Sequence, residues 1–381
     1  MLEHSTDDHA TDDRFLRRAL DLARTGIALT SPNPCVGAVI VAGNSVVGEG
    51  SHTYEGKKHA EVLALEQAGN RAHGATLYLN LEPCSHQGRT GPCAEAAIAA
   101  GIQRVVCCME DPNPVVAGRG FANLRSAGIE VEVGKFADEA RKLNEAFAIY
   151  IRHKRPLVTL KSAMTLDGKI AAPPSSASTA DSKGDTRTNW VTGEAARAHV
   201  QELRHQSDAI LTGIGTILAD DPQLTDRTGK PRRRPLLRII LDSRLRLPLN
   251  LRIAQTAKDD VLVFWASGDA QQRQQLEQFG VRIEQVPESS GGHLNLAAVL
   301  KRLGELEIAS LLIEGGSHLN TAALDEGIVD KVMFYIAPQV FGQAAVPFTA
   351  ALKKPLTLLD TTVYRFGEDF ATEGYLRNPY Q

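Results

Sequence analysis

The tightest constraint on this chain is residues 59–93, HAEVLALEQAGNRAHGATLYLNLEPCSHQGRTGPC. His59 and Glu61 are one residue apart; Pro83 and Cys84 open a loop that closes on Cys93. One His and two Cys make three zinc-binding side chains, and three is the number used by catalytic sites, which leave the fourth position to water. A bound zinc lowers the pKa of that water towards neutrality, and a carboxylate beside the first ligand is placed to carry its proton. Residues two apart do not share a helix face. His59 and Glu61 therefore serve one metal only where the chain enters a helix. AEVLALEQAG reads as that helix, with Gly69 as its stop. Cys93 follows Pro92 at the head of a second helix, AEAAIAA, where helix N-termini lower thiol pKa values.

The order of these residues is that of the zinc deaminase signature H-x-E…P-C-x-x-C. Eight residues, SHQGRTGP, stand here between the two cysteines. Taken singly, the pieces have bland readings: H-x-E recurs by chance, and two cysteines are often buried core thiols. Taken together in this order, they point to a hydrolytic deaminase.

Length and composition set the outer limits. A chain of 381 residues predicts two domains with sizeable cores. Its 43% hydrophobic and 23% charged residues are ordinary for a globular protein. A net charge of −3 provides no basic field for nucleic acid. Five cysteines, Cys35, Cys84, Cys93, Cys107 and Cys108, are too few and too uneven for a disulfide framework. No apolar run reaches transmembrane length, and the start, MLEHSTDDHATDD, is acidic rather than a signal peptide. The expectation is a cytoplasmic protein with a disordered segment over residues 1–12 and neither nucleic acid nor membrane as partner.

Residues 13–152 read as one domain. A helix over 13–26 carries Phe15, Leu16, Ala19, Leu20 and Ala23 on one face. The turn SPNPC (31–35) leads to strands at 36–42 and 45–50 around Gly43-Asn44. Further strands at 75–81, 103–109 and 129–133 alternate with helices, which predicts an α/β sandwich with a largely parallel sheet. Ligands of such sheets sit at the carboxyl ends of strands. HKRP (153–156) reads as the junction, and residues 156–381 as a second domain. Its residues 173–186 are small, polar and Pro-bearing, a mobile insertion. A helix at 193–205, a strand at 208–213, an acidic pair (Asp220, Asp221) and buried strands at 236–243 and 260–267 follow. LLIEGGSHLNTAAL (311–324) is a strand, a Gly pair and a helix, a turn able to offer backbone N–H groups to a phosphate. TGIGT (212–216) does not complete the dinucleotide fingerprint. A Gly pair after a strand is as readily a packing feature. From its residues alone this half is an α/β domain of nucleotide-binding character.

HAEV, LEPCSHQGRTGPC, DPNPVVAGRG, LKSAMTLDGKIA and ILADDPQLT strongly resemble the bifunctional deaminase–reductases of riboflavin biosynthesis, over about residues 13–375. The long Cys–Cys loop is that family's spacing. The resemblance implies an N-terminal cytidine-deaminase-like α/β/α sandwich and a C-terminal dihydrofolate-reductase-like α/β domain. It implies zinc-dependent hydrolytic deamination of 2,5-diamino-6-(5-phosphoribosylamino)pyrimidin-4-one, then NADPH-dependent reduction of the ribosyl group to ribityl. His59, Cys84 and Cys93 match the zinc ligands, Glu61 the proton shuttle and Asn33 the pyrimidine contact. Ala163, Trp190, Thr216, Asp220, Ser243, Gly316, Ser317, His318 and Leu319 match cofactor contacts. Thr188, Arg204, Leu224, Arg227 and Glu314 match substrate contacts, with Lys161 beside the same pocket. Arg204 and Arg227 suit a phosphate ester, which favours a bidentate guanidinium. Trp190, Thr216 and Leu224 would serve as well in a core. His86 and Arg89 are offered to the sugar phosphate, although a solvated loop accounts for them equally.

The partner implied is a small phosphorylated pyrimidine, and homo-oligomers are common among such enzymes. The sequence departs from the family in the length and polarity of 173–186, directly before Thr188 and Trp190. Thr188 also stands where many relatives carry Ser. Two other readings follow: an active deaminase whose C-terminal half only binds a nucleotide or a partner, and a zinc-stabilised scaffold. Glu61 speaks against the scaffold, which has no use for a carboxylate beside an open metal position.

Overall fold

The computed structural model describes residues 6–85, 91–173, 190–289 and 291–381, with side chains from residue 10 onward. His86, Arg89 and Thr188, and all but the first residue of the 173–186 segment, lie outside the described residues. The chain divides into two compact units. One holds Met1–Lys154 with Pro231–Arg233 and Tyr380; the other holds Arg155–Lys230, Arg234–Pro379 and Gln381. Among the described residues no helix is long and apolar enough to cross a membrane.

The first unit opens with α1 (Thr6–Arg24), which starts earlier than the helix expected at residue 13. Residues 6–12 are thus helix rather than disordered lead. Asp12 explains part of this: its carboxylate, 2% exposed, accepts from Tyr78 Oη at 2.8 Å and from both Arg104 Nη atoms at 2.8 Å.

There follow β1 (Gly37–Ala42), β2 (Ser45–Ser51), α2 (Ala60–Ala68), β3 (Thr76–Leu79), α3 (Cys93–Ala99), β4 (Arg104–Cys107), α4 (Arg119–Ser126), β5 (Glu130–Val133) and α5 (Ala137–His153). The sheet order is β2-β1-β3-β4-β5. β3, β4 and β5 are parallel, but β1 runs antiparallel to both its neighbours. The sheet is therefore mixed rather than largely parallel. The reason is local: two residues, Gly43 and Asn44, separate β1 from β2, and a turn that short allows only a hairpin.

Both faces of this sheet are covered. Ala38 and Ile40 of β1 pack with Leu77, Ala64, Ala94 and Leu124, while Val39 and Val41 pack with Phe15, Leu16, Leu20 and Ala140. That is why β1 reads as a continuous apolar run instead of an alternating one. Helix α2 lies so close to β2 that a Cβ at Gly48 or Gly50 would stand 2.1 Å from a backbone carbonyl of Ala64 or Ala60. The result is an α/β/α sandwich that holds the start of α2 against the sheet.

The second unit runs β6 (Leu157–Thr165), β7 (Lys169–Ala171), α6 (Glu194–Gln206), β8 (Ala209–Gly213), α7 (Ile214–Asp220), β9 (Leu237–Leu241), α8 (Arg252–Gln255), β10 (Val261–Trp265), α9 (Ala270–Gln278) and β11 (Val281–Gln285). It continues with α10 (Leu296–Glu305), β12 (Ser310–Glu314), α11 (Ser317–Asp325), β13 (Lys331–Ala337), β14 (Val346–Pro347), β15 (Leu359–Phe366) and β16 (Asp369–Tyr375). Nine strands form one sheet in the order β11-β10-β9-β8-β12-β6-β13-β16-β15. The first seven are mutually parallel; β16 is antiparallel to β13, and β15 is antiparallel to β16. The carboxyl ends of β8, β9, β12 and β6 consequently open on the same edge of the sheet.

Candidate active sites

The first site is built at two helix N-termini. His59 is the N-cap of α2, with extended backbone (φ −74°, ψ 155°), and Glu61 is the second helical residue. The chain is still entering the helix at His59, which frees the two side chains from the one-face rule that would separate them in mid-helix. Cys93 is the first residue of α3, after Pro92. Cys84 reaches the same point from the loop, where its Sγ accepts the Cys93 backbone N–H at 3.3 Å. His59 Nδ1 is 3.1 Å from Cys93 Sγ and 3.6 Å from Cys84 Sγ. One ligand atom from each of the three residues lies within 4.8 Å of the others.

An imidazole nitrogen and two sulfurs at this spacing fit zinc, with a fourth position left for water. The electrostatics agree with that donor set. Hydrogen bonds from Cys93 and His59 pull the Cys84 thiol down to about 4 against the cost of its burial. The Cys93 thiol is pushed up by its thiolate neighbour. The hydrogen bond with Cys84 raises His59. Glu61, 3% exposed, is raised by burial and lies within hydrogen-bond reach of Cys93. A carboxyl moved up from its ordinary range is suited to taking and returning a proton near neutrality. Cys84→Ser is expected to lose the metal, read as zinc per chain after gel filtration; one full equivalent retained would remove Cys84 from the ligand set.

Residues that the sequence did not single out hold this centre. Glu82, 3% exposed, accepts four backbone N–H groups: Asp111 at 3.0 Å, Gly118 at 2.9 Å, Gly120 at 2.8 Å and Phe121 at 3.3 Å. It thereby ties the DPNPVVAGRG segment to the residue preceding Pro83. Asn144, at a kink in α5, accepts the Cys35 N–H at 2.8 Å and donates to the Cys35 carbonyl at 3.1 Å. Asn80 donates to the same carbonyl at 2.9 Å and accepts the Gly37 N–H at 2.8 Å. The turn bearing Asn33 is thus anchored by two buried amides. Asn33 itself is exposed, and its Nδ2 lies 3.1 Å from Nε2 of His52. The His52 ring stands edge-on to His59 with centroids 5.6 Å apart.

In the second unit Lys161, Glu314 and Arg204 come together. Glu314, its side chain 13% exposed, receives Arg204 Nε at 2.8 Å and Nη2 at 3.1 Å, and Lys161 Nζ at 3.5 Å. Burial alone would raise its carboxyl; the charges of Lys161 and Arg204 outweigh that and hold it at about 2. Arg204 Nη1 also donates to the Thr225 carbonyl at 3.1 Å. Its fork is turned to Glu314, so the bidentate grip on phosphate expected from the sequence is not free at Arg204. Arg227 is exposed on the 221–230 loop, with its backbone N–H bound by Gln201 at 2.9 Å. Leu224 lies in the same loop. Its φ is +54° and its side chain, 4% exposed, packs among Ile210, Ile214 and Ile240, which leaves its backbone as the part able to meet a ligand.

The cofactor-matched residues lie along the carboxyl ends of parallel strands. Thr216 is in the first turn of α7 after β8, Ser243 follows β9, and Gly316, Ser317, His318 and Leu319 start α11 after β12. Ala163 lies on β6. A Cβ built on Gly213 or Gly215 meets nothing within 4 Å, and one on Gly316 would stand 3.7 Å from Thr216 Oγ1. Buried Thr212 Oγ1 and Asn320 Oδ1 have no hydrogen-bond partner among the described residues. Open backbone and orphaned polar atoms between adjacent strands β8 and β12 fit a bound nucleotide. Leu319 packs its side chain against the core. Trp190 is 59% exposed with the Arg197 guanidinium 5.4 Å from its ring centre, which rules out a core role. Asp220 ends α7 and is exposed.

A hydrolytic deaminase and a nucleotide-dependent reductase are thus joined in one polypeptide. Known proteins divide in the same way. Residues 9–109 match the cytidine and deoxycytidylate deaminase zinc-binding region, and residues 156–372 match the RibD C-terminal domain. The riboflavin biosynthesis protein RibD of Actinobacillus pleuropneumoniae is 44% identical over 340 residues, 88% of this chain and 87% of that protein. The solved structure of Acinetobacter baumannii RibD, form 1, superposes with a TM-score of 0.79 at 38% identity, covering 96% of this chain and 99% of the other. A Thermotoga maritima structure described as a diaminohydroxyphosphoribosylaminopyrimidine deaminase/5-amino-6-(5-phosphoribosylamino)uracil reductase gives a TM-score of 0.78 at 34% identity, covering 97% and 99%. The chain belongs to the RibD family: it is a bifunctional deaminase and reductase of riboflavin biosynthesis, with zinc and NADPH as cofactors.

Proposed function

We propose that the first unit deaminates 2,5-diamino-6-(5-phosphoribosylamino)pyrimidin-4-one and that the second reduces the ribosyl group of the product to ribityl. The observation that carries this reading is the convergence of His59, Cys84 and Cys93 within 4.8 Å, beside the buried Glu61. When bound there, zinc supplies a Lewis acid that makes water nucleophilic near neutral pH. Glu61 takes the proton released from that water and returns it to the ring-bound nitrogen, which departs as ammonia. Asn33 contacts the pyrimidine from the 31–35 turn.

In the second unit NADPH supplies the hydride, and the chain binds and orients. Ala163, Trp190, Thr216, Asp220, Ser243 and the Gly316–Leu319 backbone line the cofactor cleft. Glu314, held by Lys161 and Arg204, presents a carboxylate to the sugar hydroxyls, and Arg227 takes the phosphate. Thr188 and the backbone of Leu224 complete the substrate set. The enzyme works as a cytoplasmic homo-oligomer, which sedimentation of the purified protein tests.

The deciding experiment follows ammonia and NADPH in one cuvette with the diaminopyrimidine phosphate as substrate. Ammonia appearing first, then NADPH oxidation, is the expected order. Ammonia alone would favour the reading in which the C-terminal half only binds a nucleotide or a partner. Neither signal from a zinc-loaded protein would refute the substrate.

A further inference from the structure

We propose that His52 fixes the direction in which Asn33 reads the pyrimidine, making Asn33 Oδ1 an obligate acceptor for an N–H on the substrate ring. This rests on the reading of Asn33 as the pyrimidine contact and assigns the positioning residue behind it.

The argument starts at a backbone carbonyl. His52, 5% exposed, follows β2 and holds its own backbone N–H on the Val36 carbonyl at 3.0 Å. Its Nδ1 lies 2.9 Å from the Lys58 carbonyl oxygen. A carbonyl only accepts, so Nδ1 carries a hydrogen. In a neutral imidazole Nε2 then offers a lone pair. That lone pair faces Asn33 at 3.1 Å, so the group turned to it must be the donating Nδ2. The two ends of an asparagine amide are ordinarily assigned from their surroundings. Here the surroundings leave one answer.

The consequence falls on the other end of the amide. With Nδ2 committed to His52, Oδ1 has no partner among the described residues, and the turn that carries it is fixed through Cys35 by Asn80 and Asn144. The amide stands one ring away from a metal ligand, because His52 packs edge-on against His59. A pyrimidine edge bearing an N–H or an amino group satisfies Oδ1. An edge presenting only a lone pair meets another lone pair and is refused. His52, almost wholly buried and engaged at both ring nitrogens, does not itself meet the substrate.

The test is a mutant cycle on the intact zinc-loaded enzyme, with KM, kcat and zinc content measured for the deamination. His52→Phe keeps an aromatic edge against His59 but frees the Asn33 amide. It is expected to raise KM roughly tenfold, the scale of one lost hydrogen bond, with kcat within about twofold and zinc content unchanged. His52→Gln, which again accepts one hydrogen and donates another, is expected to restore most of the affinity. In an Asn33→Ala background His52→Phe is expected to add nothing. If Asn33→Ala leaves KM unchanged, the reading of Asn33 as a pyrimidine contact has failed and the inference falls with it. If Asn33→Ala raises KM but His52→Phe does not, or the two effects add independently, the orienting role alone is overturned. Loss of zinc in His52→Phe likewise overturns it, by making His52 a support of His59.

Discussion

Replacing Glu61 with Gln is expected to leave zinc bound and to lower ammonia release by roughly 10²–10⁴-fold, the range attributed to a positioned general acid–base group. The substitution keeps side-chain volume at a position only 3% exposed, so packing is little disturbed. What it removes is the carboxyl group that burial has moved up from its ordinary range. The metal is untouched because its three donors come from His59, Cys84 and Cys93. The measurement is ammonia release with zinc content determined on the same preparation. Turnover within tenfold of the parent enzyme would remove Glu61 from the proton path. Reduction of separately supplied deaminated intermediate should continue, since the residues of the second site belong to the other compact unit.

The second large effect is expected at Glu314. Glu314→Gln leaves Lys161 and Arg204 mostly buried with their shared counter-charge gone, a loss of about 3–5 kcal/mol for a broken buried pair. Reductase activity should disappear with it, because Arg204 also holds the Thr225 carbonyl in the loop that carries Arg227. Unfolding in urea is conveniently followed by tryptophan fluorescence, since both tryptophans, Trp190 and Trp265, lie in the second unit. The acid limb carries a second signature. The Glu314 carboxyl is held at about 2, below the ordinary 4.5, so its ionised form favours the folded state. That contribution is complete above about pH 4.5 and is lost as pH falls towards about 2. The Gln variant should lack this slope. A variant with parental stability and the same acid limb would show that the cluster is solvated and weakly coupled.

How far the sequence revealed these sites depended on where each residue's partners lie. His59, Glu61, Cys84 and Cys93 were legible because chemistry and helix starts coincide within one short stretch. Asn144 and Asn80 were not, because their partners are backbone groups 109 and 45 residues away around Cys35. Glu82 is likewise defined by amides 29–39 residues further on. Arg204 carried the right charge for a phosphate, yet the register pairing Glu314 with Lys161 brings a carboxylate to its fork. Leu224 was ambiguous until its positive φ turned the side chain into the core. In the fold, the alternation of elements gave the sandwich, but the antiparallel placement of β1 followed from a turn too short for any crossover. β13, β15 and β16 went unread, although KVMFYIA is nearly all buried and Gly367, with φ +65°, marks the turn between the last two strands.

The half-buried Cys84, drawn towards its thiolate beside Cys93, has a consequence for handling the enzyme. A thiolate next to a second thiol is the reactant pair of thiol–disulfide exchange. The metal that recruits both sulfurs for deamination therefore also acts as their protecting group. Protein stripped by a chelator and exposed to a disulfide oxidant such as oxidised glutathione should stop taking up zinc until a reductant is added. Stripped protein kept reduced should reload directly. Inactivation on storage would then reflect oxidation of an emptied site with the fold still intact, and dithiothreitol supplied together with zinc would reverse it where zinc alone would not.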